Sequence, residues 1–120
     1  MPSYHIRACV PILHSMTGDR SGSHLHSIEL SLYLFKPEDA MLRFAEVEGA
    51  IDRCLSPYKN QFLNELPDFE HDASIEQIGE VFYARLQEAM ADYGLILERF
   101  EIEETPLRTY IIRRESGTET

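Results

Sequence analysis

The chain has 120 residues and a formal net charge of −10, from 11 Lys and Arg against 21 Asp and Glu. This length fits one domain, and a composition of 43% hydrophobic and 27% charged residues is that of a globular protein, which excludes a chain that is disordered throughout. The acidic balance, without a visible Lys/Arg cluster, argues against nucleic acid as a partner, and no apolar run approaches the ~20 residues that a membrane span needs.

The cysteine content points to a reducing compartment. Cys9 and Cys54 are too few for a disulfide framework, and Cys54 falls on the apolar stripe of a predicted helix, where a free thiol packs as a small hydrophobic group. The amino terminus also lacks the apolar core of a signal peptide. These features favour a cytoplasmic location.

Alternating apolar and polar residues predict two strands in the first third of the chain, at residues 4–14 and 24–35. The residues between them, 15–23, are mostly Ser, Gly, Thr and Asp, which favour turns. Two strands joined by a short loop most simply pair as an antiparallel hairpin. Pro11, near the end of the first strand, is typical of an edge strand or a bulge, because proline has no backbone N–H to donate.

Helical periodicity replaces this alternation in the middle of the chain. It predicts one helix over residues 38–55 and a second helix that begins after Ser74 and ends at Gly94. Ser74 and Gln77 form a capping box at the start of the second helix. The apolar stripe of the first helix comprises Phe44, Val47, Ile51, Cys54 and Leu55. The connection between the helices, residues 56–72, has no regular pattern, and connections of this length in small domains are usually functional.

Alternation returns at residues 95–104, with Ile96 on the apolar face, and a last strand follows at residues 107–113. The order ββααββ predicts an α+β fold, in which two helices pack on one face of a four-stranded antiparallel sheet. We expect a single domain over residues 1–114 and a disordered tail at residues 115–120.

Three histidines stand on the apolar faces of the first two strands. His14 ends the face of the first strand and His24 and His26 begin the face of the second, so an antiparallel hairpin brings all three to one end of the sheet. A single half-buried histidine is usually only hydrogen-bonded, but three polar rings on one apolar face each cost desolvation energy unless they are paired or bind a metal. The pattern favours a zinc ion held by three imidazoles with an open fourth position, the arrangement of a catalytic zinc site.

Glu104 ends the apolar face of the third strand. Glu is rarely buried without a partner, and a carboxylate held there can accept two parallel hydrogen bonds from the N–H/NH₂ edge of a pterin or a guanine. A solvated acid at a strand end is an equal alternative, since Glu101 and Glu103 are its neighbours. His71 and Asp72 could form an acid–base pair in the long connection, although an exposed loop histidine is the commoner case.

Five segments carry a family resemblance. His24-Leu25-His26-Ser27 begins an alternating strand in the manner of an H-G-H-N/S motif. The others are Phe44-Ala45-Glu46-Val47-Glu48 for F-x-E-L-K, Leu63-Asn64 for the end of D-H-x-x-L-N, Ala73-Ser74-Ile75-Glu76 for P-T-x-E, and Ile102-Glu103-Glu104-Thr105-Pro106 for V-x-E-T-P. In this order and spacing, over residues 4–113, they resemble the 6-pyruvoyl-tetrahydropterin synthase and 6-carboxy-tetrahydropterin synthase family, which has the tunnelling fold.

The resemblance implies roles for individual residues. The zinc ligands of the family match His14, His24 and His26, which makes Zn²⁺ the expected cofactor. Glu104 matches the glutamate that anchors the pterin ring, and Thr105 follows it in the V-x-E-T-P motif. Ser74 lies near the position of a family threonine that helps to hold the ring. The resemblance also implies a homo-oligomer, a hexamer of two stacked trimers. The open edges of a lone sheet are an independent reason to expect closure.

Two departures from the family pattern affect the residues that transfer protons. The family cysteine a few residues before H-x-H is absent, and Asp19 is the candidate to replace it, as a loop carboxylate does in part of the family. The Asp-His pair before x-x-L-N is replaced by Lys59-Asn60. His71 is a candidate second proton carrier, although its position does not match the motif.

The residues and the resemblance together lead to a zinc-dependent, pterin-modifying lyase that acts on a dihydroneopterin-triphosphate-like substrate, with Asp19 and His71 as candidate catalytic residues. The alternative is a non-catalytic pterin- or purine-binding oligomer of the same fold that has lost the chemistry. A tunnelling-fold scaffold without a metal is a third reading, which metal analysis distinguishes from the other two.

Overall fold

Four strands and two helices follow one another in the order ββααββ. The computed structural model describes residues 3–14, 24–37, 42–69, 74–105 and 108–114, with the side chains at positions 14, 24–26 and 105 excepted. The elements are β1 (Ser3–His14), β2 (His24–Phe35), α1 (Phe44–Leu55), α2 (Ile75–Ala91), β3 (Ile96–Thr105) and β4 (Arg108–Arg113). No helix in this described part of the chain is long and apolar enough to cross a membrane.

The four strands form one antiparallel sheet in the order β1-β2-β3-β4. β1 and β2 pair along twelve residues without a break, from Ser3 opposite Phe35 to His14 opposite His24. The even-numbered residues of this hairpin face the helices, and Val10, Ile12, Ile28, Leu30, Leu32 and Leu34 are fully buried. The predicted α+β fold is therefore confirmed, and β1 is an edge strand, as Pro11 indicated.

Both helices pack on the same face of the sheet through one apolar side each. The buried residues of α1 are Val47, Ala50, Ile51 and Leu55, and those of α2 are Ile78, Gly79, Phe82, Leu86 and Met90. In the described residues no helix packs on the opposite face of the sheet, which holds charged and polar residues of the strands, such as Arg7 and Glu29. The sheet thus has one dry face and one polar face.

The start of α1 differs from the prediction. Residues 38–41 lie outside the described residues, Arg43 has an extended backbone, and the helix begins at Phe44. Phe44 was expected on the buried stripe, but it is 50% exposed and makes an edge contact with the ring of Tyr4 at 5.6 Å between centroids. It lies at the first helical position, beyond the end of the core, where periodicity alone does not distinguish it from a buried residue.

A β-bulge changes the phase of β3. Arg99 pairs with Tyr33 and Leu97 with Leu34, so Glu98 is an extra residue on β3. As a result Leu97 faces the core, 1% exposed, instead of the predicted Ile96. A bulge shifts which residues face inward, and strict alternation cannot predict it.

The ends of α2 agree with the sequence signals. The Ser74 hydroxyl accepts a hydrogen bond from the Gln77 backbone N–H at 3.3 Å, as a capping residue does. Gly94, just past the helix, has a φ of 72°, a left-handed conformation that favours glycine.

Gly79 allows α2 to approach the sheet closely. A Cβ at this position would lie 2.8 Å from Tyr110 Cδ2 and 3.0 Å from Ile102 Cγ2. An ordinary Gly→Ala change inside a helix stabilises by about 1 kcal/mol, but here the added methyl group must push the helix away from β3 and β4.

We therefore expect Gly79→Ala to lower the free energy of unfolding by about 1–3 kcal/mol, measured by urea denaturation. Gly49→Ala in α1 is the matched control, because its Cβ would meet only the flexible end of Arg53 at 3.3 Å. A gain in stability in both variants would contradict the close packing of α2 on the sheet.

Candidate functional site

The candidate site lies at the end of the sheet where β1 and β3 finish and β2 and β4 begin. In the backbone register, His14 stands directly opposite His24, and His26 stands opposite Ile12. Directly opposed positions have Cβ atoms about 4.5–5.5 Å apart, and diagonal ones on the same face about 7–8 Å. The three histidine positions are therefore neighbours on two adjacent strands.

These positions continue the core-facing alternation of the hairpin. Ile12 precedes His14 on that face and Ile28 follows His26, and both isoleucines are fully buried. Three imidazole ligands at adjacent positions beside an apolar core are a donor set that suits zinc. The positions that the β1–β2 register gives these histidines therefore suit a zinc ion. The assignment of the three histidines as its ligands stays a prediction.

The side chains of the three histidines lie outside the part of the chain whose side chains the structure describes. Among the side chains of residues 3–13, 27–37, 42–69, 74–104 and 108–114, no three His, Cys, Asp or Glu groups stand close enough to hold a metal ion. Positions 14, 24 and 26 are described by their backbone register in the β1–β2 hairpin.

Glu104 occupies a β-bulge at the same end of the sheet. Glu103 pairs with Thr109 and Thr105 pairs with Arg108, so Glu104 is the extra residue between two pairs. It is partly buried and follows the fully buried Ile102 by two residues. Because a bulge redirects the side chain of the extra residue, this position suits a group that must point at a ligand. The sequence identified Glu104 as a candidate binding residue but did not predict the bulge.

The amino-terminal end of α2 points towards the same region. Gly79 lies against Ile102, and one helical turn later the ring of Tyr83 packs 6.2 Å from that of Phe100. From Tyr83 through Gly79 to its amino terminus, α2 therefore runs towards the carboxyl-terminal end of β3. Ser74 precedes Gly79 by five residues, about 7.5 Å of helix, and so lies on the side of the bulge.

Ser74 uses its hydroxyl oxygen to cap α2, as described above. The contact of Ser74 with a ring stays a prediction. The side chain of Thr105 lies outside the described residues.

The connection after α1 borders the site on the other side. It contains three short 3₁₀ turns, Ser56–Tyr58, Leu63–Glu65 and Pro67–Phe69. Between the first two, the Asn60 N–H donates to the Pro11 carbonyl at 2.6 Å and the Leu13 N–H donates to the Gln61 carbonyl at 2.9 Å. The predicted irregular connection is thus ordered where it meets β1.

Side chains fix this connection to α2. The Tyr58 hydroxyl donates to Asp68 Oδ2 at 2.8 Å, and Arg85 on α2 donates to both oxygens of Asp68 at 3.3 and 3.4 Å. Burial raises the pKa of the Tyr58 phenol, and the hydrogen bond to Asp68 raises it further. The rings of Tyr58, Phe69 and Phe82 pack together beneath these polar groups.

A family model for 6-pyruvoyl tetrahydropterin synthase matches residues 5–115. The chain belongs to the 6-pyruvoyl tetrahydropterin synthase family. This confirms the resemblance seen in the sequence motifs. No curated protein matches the chain at a significant level.

Solved structures of the same fold span nearly the whole chain. The 6-pyruvoyl tetrahydropterin synthase of Caenorhabditis elegans has a TM-score of 0.75 at 17% identity, covering 96% of this chain and 98% of that one. A catalytic-residue mutant of the Plasmodium vivax enzyme, a glutamate-to-alanine change, has a TM-score of 0.62 at 14% identity, covering 95% and 98%. An uncharacterized protein of Wolinella succinogenes has a TM-score of 0.62 at 13% identity, covering 96% and 100%. These likenesses show the tunnelling fold, and with the family they support a pterin-processing lyase.

The sequence motifs predicted that the proton-transfer residues of the family are replaced in this chain. Asp19 and His71, the candidates from the sequence, lie outside the described residues. At Lys59-Asn60, which the motif comparison set against the family's Asp-His pair, the Lys59 ammonium forms an ion pair with Asp52 on α1, and Asn60 bonds to β1 through its backbone. Neither described side chain there has the chemistry of the pair it replaces.

Neither cysteine belongs to this site. Cys9 is exposed on the polar face of the sheet. Cys54 is half-buried and borders a groove of about 980 Å³ between α1 and the second half of α2, away from Ser74. Burial raises the pKa of its thiol, which disfavours the nucleophilic thiolate.

The Tyr58 hydrogen bond has a pH dependence that can be measured. We expect Tyr58→Phe to lose about 1 kcal/mol of unfolding free energy at neutral pH, because Asp68 loses one donor. The raised pKa of the folded phenol means that Tyr58 stabilises fully below the unfolded value of about 10 and less as pH rises through the folded value.

Denaturation of wild type and Tyr58→Phe at several pH values checks this. The difference between them should shrink above about pH 10. A difference that stays constant or grows with pH would show that the Tyr58 proton is not held by Asp68.

Proposed function

We propose that this protein is a zinc-dependent lyase that acts on a dihydroneopterin-triphosphate-like substrate. The observation that carries the proposal is the register of β1 and β2, which makes His14, His24 and His26 neighbours at the end of the sheet where Glu104 stands in its bulge. A metal site and a ring-binding carboxylate at one end of one sheet are two of the parts that such a reaction requires.

Each residue has a role in this proposal. His14, His24 and His26 would hold the ion, which when bound polarises a side-chain hydroxyl or carbonyl of the substrate and acidifies the adjacent C–H. The carboxylate of Glu104 accepts the paired N–H groups of the pterin ring and so orients it. Asp19, or His71, carries the proton that leaves and returns.

A triphosphate also needs a cation, because the chain is strongly acidic. Three candidates are Arg20, Lys59 and Arg108. Arg20 lies outside the described residues, and Lys59 is engaged with Asp52. Arg108 is exposed at the start of β4, opposite Thr105 and next to the bulge, and is the candidate that geometry favours.

The proposed assembly is a hexamer of two trimers in a reducing, cytoplasmic compartment. In the described residues, both outer strands of the sheet, β1 and β4, have an edge that is largely unpaired within the chain. Pairing of β4 with β1 of a neighbouring copy would satisfy these backbone groups and close the sheet.

The alternative proposal is a pterin- or purine-binding oligomer without catalysis. It is favoured by the changes at Lys59 and Asn60, where the family's Asp-His pair is absent, and by the lack of a cysteine before His24. The ring-binding and metal-binding residues would then serve binding alone.

Incubation of the pure protein with dihydroneopterin triphosphate and zinc tests these two proposals. The lyase predicts turnover that a chelator abolishes and that Asp19→Asn lowers by about 10²-fold or more, as loss of a proton-transfer group does. Tight pterin binding without turnover between about pH 5 and 9 would exclude the lyase and leave the binding protein.

The role of Glu104 is tested separately by pterin binding. We expect Glu104→Gln to weaken binding about 10- to 100-fold, because a neutral amide replaces a charged, two-point acceptor. Fluorescence titration with a pterin measures the dissociation constant.

Glu103→Gln is the matched control, since Glu103 is next to Glu104 in the chain and lies opposite Glu29 on the polar face of the sheet. Equal loss of binding in both variants, or none in Glu104→Gln, would remove Glu104 from the ring-binding role.

A further inference from the structure

The outer edge of β1 is covered at only one place in the described part of the chain. Residues 60–62, which we name the clasp, run beside Pro11 and Leu13 through two backbone hydrogen bonds and a parallel bridge from Leu13 to Phe62. The clasp therefore contacts β1 at Leu13, one residue before His14.

Local sequence explains why the clasp forms here. Pro11 has no N–H, so only its carbonyl can bond to a neighbour, and the Asn60 N–H supplies that bond at 2.6 Å. Asn60 has a φ of 59°, and asparagine is one of the few residues besides glycine that tolerate this left-handed conformation. The direction of the Asn60 N–H depends on that backbone conformation.

The clasp is attached to the rest of the fold on both sides. Tyr58 before it is 6% exposed and is held by Asp68, while Leu63 after it is fully buried. Phe62, in the clasp, is 5% exposed. Since Arg85 binds Asp68 in turn, the clasp links the end of β1 to α2.

We propose that the clasp is the positioning element of the histidine site: it holds the end of β1 so that position 14 stays opposite position 24. This inference rests on the proposed function, because it takes the ion to bind at positions 14, 24 and 26. Zinc binding and clasp closure then stabilise each other. By linkage, opening the clasp weakens zinc binding by the same factor by which zinc favours the closed clasp.

The variant that opens the clasp is Asn60→Pro. Proline removes the N–H that bonds to Pro11 and fixes φ near −65°, whereas the native value is 59°. Lys59 already has φ −66° and ψ 131°, which a following proline accepts, so the change is confined to residue 60. Asn60→Gly keeps both the N–H and the left-handed conformation and is the matched control.

Zinc affinity is measured by competition with a chromophoric chelator on the whole protein. We expect Asn60→Pro to bind zinc about tenfold or more weakly, because losing the contacts that hold metal ligands in position weakens metal binding. Asn60→Gly should bind zinc within about threefold of wild type. Ala84→Gly on the exposed side of α2 serves as a destabilised control with unchanged zinc affinity. His26→Ala marks the loss of a ligand.

Amide hydrogen exchange of the wild type gives a second measurement that needs no variant. Zinc should slow exchange of the Leu13 N–H, which bonds to the clasp, and leave the Arg114 N–H, which bonds to Glu98 at the other end of the sheet, unchanged.

Wild-type zinc affinity in a folded Asn60→Pro protein, or unchanged Leu13 exchange on zinc binding, would overturn the role of the clasp. If Asn60→Pro does not fold, the exchange measurement decides. A wild-type protein that binds no zinc, or a His26→Ala variant that binds it normally, overturns the proposed function itself.

Discussion

The pairing of β1 with β2 is the constraint on which the candidate site depends. Twelve consecutive residues pair without a bulge, so the face that buries Val10 and Ile28 in the middle of the hairpin also carries positions 14, 24 and 26 at its end. A slip of one residue in this register would move one strand's histidines to the polar face. The apolar residues thus fix the histidine positions, because burying the core and assembling the site require the same register.

The rest of the chain brings further groups to that end of the sheet. The bulge in β3 sets Glu104 apart from its paired neighbours, and the packing of Gly79 on Ile102 directs the start of α2 to the same region. The connection between the helices, held by Tyr58 and Asp68, covers the outer edge of β1 at Pro11 and Leu13. The candidate metal-binding and ring-binding positions therefore lie on the same strands that form the core.

The periodicity of apolar residues in the sequence was sufficient to predict the strands and helices that pack on the single core. The β1–β2 hairpin, the cap at Ser74 and the stop at Gly94 were all readable from neighbouring residues. The extra residues Glu98 and Glu104 were not, because a bulge depends on the partner strand, and alternation carries no information about it. The clasp joins residues about fifty positions apart, and only Pro11 signalled that the outer edge of β1 was unusual. Asp19 and His71 stay predictions.

The central claim is that three histidines from two neighbouring strands share one zinc ion. Imidazole NMR of the protein during a zinc titration tests it most directly, because His5 lies on the polar face, stacked 4.3 Å from Tyr33, and serves as an internal reference. The account predicts that the rings of His14, His24 and His26 change together and saturate at one zinc per chain, while His5 does not respond. Independent titration of the three rings, or no response to zinc, would contradict it.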